Sequence, residues 1–178
     1  DSGYNRVLIF KDAAHFPVSP PLNGKRADIV LGQSSFGSST SGTGMKQMAG
    51  PQYVLNAGGK VFVADTQNNR ILIFSTSTIF NDPDGKDISA EIVLGGVSAG
   101  ISENTFRLPR SVFSDGTRLF VSDTNNHRIL YWSTIPTVSH TPANAVLGQP
   151  NFTTGTEPPI NGYTFRFPET ITYANDQL

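Results

Sequence analysis

The chain has 178 residues, with 13 lysines and arginines against 14 aspartates and glutamates, and its formal charge of -1 gives no electrostatic case for nucleic acid or an anionic membrane. It has no cysteine, which excludes disulfides and thiolate chemistry, and no run near the roughly 18 apolar residues of a membrane span. Hydrophobic residues make up 37% and charged residues 15%, with 17 glycines and 12 prolines, a balance that suits many short strands joined by turns.

Taken in order, the chain opens on DSGYNRVLIF and reaches its first VLG at Val30. After Pro51, QYVLNA is a short apolar stretch ended by Gly58 and Gly59, and KVFVAD follows across that turn, so the two are expected to form a hairpin. TQNN is the next turn, and RILIFST returns as a third strand rich in β-branched and aromatic residues. Beyond a loop containing NDPDGKD, AEIVLG is a fourth strand closed by Gly95 and Gly96.

The pattern then comes back. VADTQNNRILIF at Val63 to Phe74 recurs as VSDTNNHRILYW at Val121 to Trp132, and its tail already stands in the opening segment. VLG recurs at Val30, Val93 and Val146, and a proline at Pro51, Pro109 and Pro168. Pro51 to Arg70 and Pro109 to Arg128 both span 19 residues, whereas the gaps from arginine to the VLG leucine are 25, 24 and 19. A rigid core with loops of free length is the sign of a repeat architecture, with a period near 60 residues. Four strands per unit is the layout of a propeller blade.

Asp65, Thr66, Asn68, Asn69, Arg70 and the following ILIF resemble the signature of NHL-repeat β-propellers, and Asp123, Thr124, Asn125, Asn126, His127 and Arg128 match it again. VLGQ at Val30 to Gln33 and Val146 to Gln149, with Phe36 and Phe152 just after, is similar to the long-unit bacterial members. The first copy departs from the pattern with Ser2, Gly3 and Tyr4 in the turn, and the second has Gly96 in place of Gln. The resemblance implies an all-β, NHL-like propeller of four-stranded antiparallel blades, six to a full ring. Residues 1–178 then read as a single partial propeller of about three blade equivalents. Residues 1–36 supply the third and fourth strands of a first blade, 50–96 a second blade, 108–149 a third, and 167–178 (containing ETITYAN) the first strand of a further one. Two chains completing a ring, or the missing blades of a larger chain, are the expected partners of such an arc, whose bare edges invite association.

The turn residues have physical reasons of their own. Asp and Thr can bond turn backbone, Asn tolerates the left-handed conformation, and the arginine presents five donors that can tie loop carbonyls or adjacent blades together. His127 holds the place of Asn5 and Asn69 and reads as a turn residue; His15 and His140 fall in variable segments with no shared metal geometry. Catalytic NHL lyases use histidine with zinc, so this departure speaks against catalysis, and no catalytic residue, metal or cofactor is expected. Asp82, Asp84 and Asp87 alternate around Gly85 in the manner of a cation loop, but without the distal bidentate Glu of an EF-hand, and Pro-Asp-Gly is an ordinary turn. Gly37 to Gly44, GSSTSGTG, lacks the lysine of a phosphate cradle and reads as a mobile loop. Arg107, Arg110, Arg166 and Lys46 could seed a basic rim, yet the neutral balance argues against RNA. Asn151, Phe152 and Thr153 form a glycosylation sequon.

The loops after VLG and the TQNN and TNNH turns would converge on one face. They present Gln33, Ser34, Ser35, Gln67, Asn68, Asn125, Asn126 and Gln149, polar and uncharged, which suits hydrogen bonding to a protein or carbohydrate ligand better than acid–base catalysis. The alternative for the same amides is that they satisfy turn backbone. The expected function is a non-enzymatic binding scaffold; the alternatives are a fragment of a catalytic, metal-dependent lyase or hydrolase propeller, or a structural extracellular assembly subunit. Few lysines beside abundant Ser, Thr, Asn and Gly point to an extracellular or periplasmic setting. With no initiator Met and no signal segment, the chain reads as a mature product or an excised piece.

Overall fold

The structure is a computed structural model that describes residues 1–11, 26–96 and 98–172. Three antiparallel sheets follow one another along the chain. The first pairs β1 (Val7–Ile9) with β2 (Ile29–Leu31). The second has the order β3-β4-β5-β6, from β3 (Tyr53–Ala57), β4 (Lys60–Asp65), β5 (Arg70–Ser75) and β6 (Ile92–Gly95). The third runs β7-β8-β9-β10, from β7 (Ser111–Ser114), β8 (Leu119–Asp123), β9 (Arg128–Trp132) and β10 (Ala145–Leu147).

Local chemistry sets the connections. Gly58 and Gly59, at φ 57 and 73, make the two-residue reversal between β3 and β4, a turn that needs positive φ at both positions. The matching turn in the third sheet is built differently: Asp115 Oδ1 accepts the N–H groups of Thr117 and Arg118 at 2.9 and 2.7 Å. Those backbone bonds, with Arg118 beside them, hold the Asp115 carboxyl down at about 2.

One element departs from the sequence reading. The stretch after β5, expected as plain loop, begins with a helix, α1 (Thr76–Asn81). It stops at Asp82 because Pro83 disfavours helical geometry in the residue before it, and it buries a single apolar side chain, Ile79. Six residues with one buried position give no periodicity to read.

The middle sheet is buried on both faces, which explains why β4 and β5 are apolar almost throughout instead of alternating. Val61, Val63, Leu72 and Phe74 pack with Val7, Ile29 and Leu31 of the first sheet, and α1 adds Ile79. Phe62, Ala64, Ile71 and Ile73 pack on the other side with Val112, Leu119, Leu130 and Trp132 of the third. Each fully buried side chain of this size contributes about 1.5–3 kcal/mol. The outer edges of β2 and β6 are each covered by the following unit. Leu31 of β2 bridges Ile88 in parallel, and Val93 of β6 accepts the His140 N–H at 2.8 Å. Of the segment expected to begin a further unit, residues 167–172 carry no strand and 173–178 lie outside the described residues; Ile171 is buried and its N–H bonds Ser111 Oγ at 3.2 Å.

Candidate functional site

The loop side of the molecule is organised by three copies of one turn, and the first unit forms it at Ser2–Tyr4 with Asn5 at φ 53 although its sequence departs from the pattern. In the second unit Thr66–Asn68 form a single 3-10 turn and Asn69 follows in the left-handed region at φ 53; in the third, Thr124–Asn126 and His127 at φ 54 repeat it. Asp65 Oδ2 accepts Arg70 Nε at 2.7 Å and Asn68 Nδ2 at 2.9 Å, while Oδ1 accepts the Ala49 N–H at 2.7 Å. Asp123 does the same with Arg128 Nε, Asn126 Nδ2 and the Arg107 N–H, at 2.7, 2.9 and 2.7 Å. The carboxylate therefore bonds the segment leading into its own sheet, where sequence reasoning gave it the turn's own backbone. Burial pushes both carboxyls above their ordinary value, against the hydrogen bonds and the arginine that pull them down.

The same turns fasten each unit to the next. Thr66 Oγ1 donates to the Pro109 carbonyl and Thr124 Oγ1 to that of Pro168, both at 2.7 Å. Asn5 Oδ1 accepts the Gly50 N–H and Asn69 Oδ1 the Leu108 N–H, both at 2.9 Å, and His127 Nδ1 accepts the Phe167 N–H at 3.2 Å. The three donors sit immediately before the repeated prolines and share positive φ values of 53, 49 and 49. For Leu and Phe this conformation costs about 1–3 kcal/mol, and the bond to the preceding turn is what holds it.

These contacts decide what the candidate residues are free to do. Asn68 and Asn126 are buried, and beyond Asp65 and Asp123 their amides donate to the carbonyls of Gly42 and Gly100 at 2.8 and 2.7 Å. Gln33 and Gln149 are buried as well. The amide of Gln33 donates to Asn5 and Thr40 carbonyls at 3.0 Å each, and that of Gln149 to His127 and Thr156 carbonyls at 3.4 and 3.1 Å. The donors of all four are engaged by the fold. Gln67 is exposed and lies across Gly50, Asn125 is half-buried, and Ser34 and Ser35 are exposed.

Gln33 and Ser34 adjoin an open cleft of about 550 Å³, bounded by Ser38, Thr40, Gln47 and the pair Lys46–Asp87. Lys46 Nζ meets Asp87 Oδ2 at 2.7 Å, with both side chains about half exposed. Sequence reasoning had placed Lys46 in a basic rim and Asp87 in a carboxylate trio. Their pairing joins residues 41 apart and left no local signal.

The carboxylates around Gly85 do not converge. Asp82 Oδ1 accepts the N–H groups of Asp84 and Gly85 at 3.0 and 2.7 Å, an ordinary side-chain-capped turn, while Asp87 faces Lys46. Among the described residues no three His, Asp or Glu side chains form a group that could hold a metal ion. His140 is exposed at φ 60, and His15 lies outside the described residues. Arg110 and Arg166 of the suggested rim are paired, with Glu169 at 2.7 Å and Glu157 at 2.8 Å. The Gly37–Gly44 stretch, read as a mobile loop, is pinned through its carbonyls: Gly42 by Asn68, and Thr43 and Gly44 by Arg70. Asn151 of the sequon is exposed, with its Oδ1 taken by Thr153 and Thr154. No helix among the described residues is long and apolar enough to cross a membrane. No family model matches the chain, and no curated protein matches it.

Proposed function

We propose that the chain is an arc of an NHL-like β-propeller that works as a non-enzymatic binding scaffold, taking a protein segment or a carbohydrate on its loop side. The blade reading is supported by two four-stranded antiparallel sheets, each in sequential strand order and packed face to face, with the same turn repeated at the same place in both. The observation that carries the binding reading is the cleft beside Ser34. Its hydroxyls, the Gln47 amide and one exposed ion pair offer many donors and acceptors at fixed positions, which is what a hydroxyl- or amide-rich ligand requires.

The test is a screen of the purified chain against an oligosaccharide array and a peptide library, followed by titration of any hit with variants. Ser34→Arg and Lys46→Ala are expected to abolish binding with the melting temperature unchanged, since both residues are exposed. A hit whose affinity ignores both substitutions places the ligand elsewhere and overturns the assignment. Gln33→Ala serves as the contrast: its amide holds two loop carbonyls, so it lowers stability whether or not ligand is present.

A further inference from the structure

The cleft beside Ser34 carries one ion pair on its rim. Lys46 Nζ stands 2.7 Å from Asp87 Oδ2, with the two side chains 49% and 52% exposed. A pair that open contributes at most about 1 kcal/mol to stability. Both residues are nevertheless held from behind. Arg70 Nη2 clamps the carbonyls of Gly44 and Gln47, at 2.9 and 3.0 Å on either side of Lys46, and the Met45 carbonyl accepts the Ala90 N–H at 2.9 Å. Asp87 sits in the left-handed region at φ 56, and its N–H bonds the Gln33 carbonyl at 3.2 Å. A pair of little value to the fold thus stands on a backbone already fixed, which lowers the ordering cost of binding at it.

The joint between the second and third units has no such pair. Arg128 Nη2 clamps Ser102 and Thr105, at 2.8 and 3.1 Å, as Arg70 clamps Gly44 and Gln47, so Asn104 holds the place of Lys46. The Ala143 N–H bonds the Glu103 carbonyl at 2.7 Å as that of Ala90 bonds Met45. Three residues before Ala143, His140 at φ 60 holds the place of Asp87. The repeated architecture is therefore complete without the pair.

The chemistry of the cleft narrows the ligand. The two charges cancel, so a ligand with a net charge of either sign would meet one head of its own sign. Side by side they offer a donor, Lys46 Nζ, and an acceptor, Asp87 Oδ1, which has no other bond among the described residues. Two gauche hydroxyls on neighbouring carbons hold their oxygens at about the separation of these heads, and each is donor and acceptor at once. Both bonds would be charge-assisted, about twice as strong as neutral ones. The Ser34 and Thr40 hydroxyls and the Gln47 amide share the cleft, and half-buried Met45 gives C–H groups an apolar wall. Its volume of about 550 Å³ lies within the roughly 300–1,000 Å³ of small-molecule sites. An extended peptide needs a strand edge to pair with or pockets for its side chains. Among the described residues that line the cleft none lies in a strand, and Met45 is the single large apolar side chain.

We propose that the cleft takes a neutral saccharide whose neighbouring hydroxyls bridge the ion pair, one donating to Asp87 Oδ1 and the other accepting from Lys46 Nζ. The proposal rests on the reading of this cleft as the binding site, and adds to it the class of ligand and the bonds that select it.

The experiment is amide NMR of the whole 178-residue chain titrated with the methyl glycosides of glucose, galactose and mannose, which present hydroxyl pairs of differing orientation. At least one is expected to shift the Lys46 and Asp87 amides at millimolar concentration. Its affinity is expected to fall about tenfold in Asp87→Asn and in Lys46→Gln, where a neutral bond replaces a charge-assisted one, with the melting temperature unchanged. A deoxy analogue lacking either bridging hydroxyl is expected to lose at least as much. His140→Asn, at the equivalent place in the other joint, is expected to leave affinity unaltered. Glycosides that shift neither amide, or that bind both variants as well as wild type, overturn the proposal. A peptide library run in the same way separates the two levels. A peptide that shifts the Lys46 and Asp87 amides where no glycoside does keeps the cleft and removes the saccharide; ligands that shift only amides elsewhere, or none, remove both.

Discussion

Arg128 makes as many bonds as Arg70 and is the more buried of the two, and replacing it by methionine tests how the fold uses its arginines. The guanidinium is fully buried and makes four bonds, one from Nε to Asp123, two from Nη2 to Ser102 and Thr105 and one from Nη1 to Phe152, while the Asp123 carboxylate in turn holds the Arg107 N–H. Arg128→Met keeps most of the apolar stem but leaves a buried carboxylate with only Asn126 and a backbone N–H, and leaves three loop carbonyls without their donor. Breaking a buried pair on one side costs about 3–5 kcal/mol, a large part of the 5–15 kcal/mol that typically separates a folded domain from its unfolded chain. For a chain of this length that corresponds to a drop in melting temperature of about 6–20 °C. Urea unfolding followed by far-ultraviolet dichroism gives the free energy, with the m-value checking that the unfolded state has not changed. Arg118→Met is the comparison, since its pair with Asp115 is partly exposed at 35% and 26%, and an exposed pair contributes at most about 1 kcal/mol. Asp123→Asn with Arg128→Met should cost less than the two single changes summed, because the orphaned charge is gone. An Arg128→Met chain within about 1 kcal/mol of wild type refutes the argument that the clamp, and not apolar packing alone, holds these loops.

The remaining predictions concern turns and contacts between units. Gly58→Ala is expected to destabilise by more than about 1 kcal/mol, since its φ is positive and the new Cβ would stand 2.8 Å from Gly116 Cα; Gly162→Ala, with nothing within 4 Å, should leave the denaturation midpoint where it is. His127→Ala is expected to speed hydrogen exchange at the Phe167 amide, which loses its acceptor, whereas His127→Asn should restore protection because Asn5 and Asn69 already serve that purpose; equal exchange in both variants would remove the staple from the account. The Asp115 carboxyl, lowered from its ordinary value of 3.8 to about 2, gives its turn a stabilisation that is complete above the unfolded value and lost as the pH falls through the folded one. Amide shifts of Thr117 and Arg118 should therefore titrate near 2, and a midpoint near 3.8 would contradict the bonds to Asp115 Oδ1.

Strands were legible wherever a repeat or a turn bounded them. QYVLNA and KVFVAD appear as β3 and β4 about the two glycines, RILIFST as β5 and AEIVLG as β6, because β-branched runs between Gly and Asn turns leave little choice. The arginine's reach to loop carbonyls was foreseeable from its five donors. Its loop was not, since the clamp joins Arg70 to residues more than 20 positions away through their backbones, and carbonyls carry no sequence signature. The same blindness affects the candidate site. Gln33, Asn68, Asn126 and Gln149 look like a polar rim in a sequence, and only the fold shows their amides turned inward onto carbonyls. Ser34, next to Gln33, is exposed instead.

The side-chain bonds by which the repeated turns hold the segment around a later proline all run one way. Asn5, Thr66, Asn69, Thr124 and His127 reach forward to the segment around the next proline. A unit thus carries the instructions for seating its successor. A duplicated unit brings its own socket for whatever copy follows, so such an array can lengthen by tandem duplication without designing a new interface at each joint. The cost of that convenience is polarity. Damage to one turn loosens the unit after it more than the unit before, and the longest of these bonds, at 3.2 Å, is the one where histidine stands in the place of asparagine.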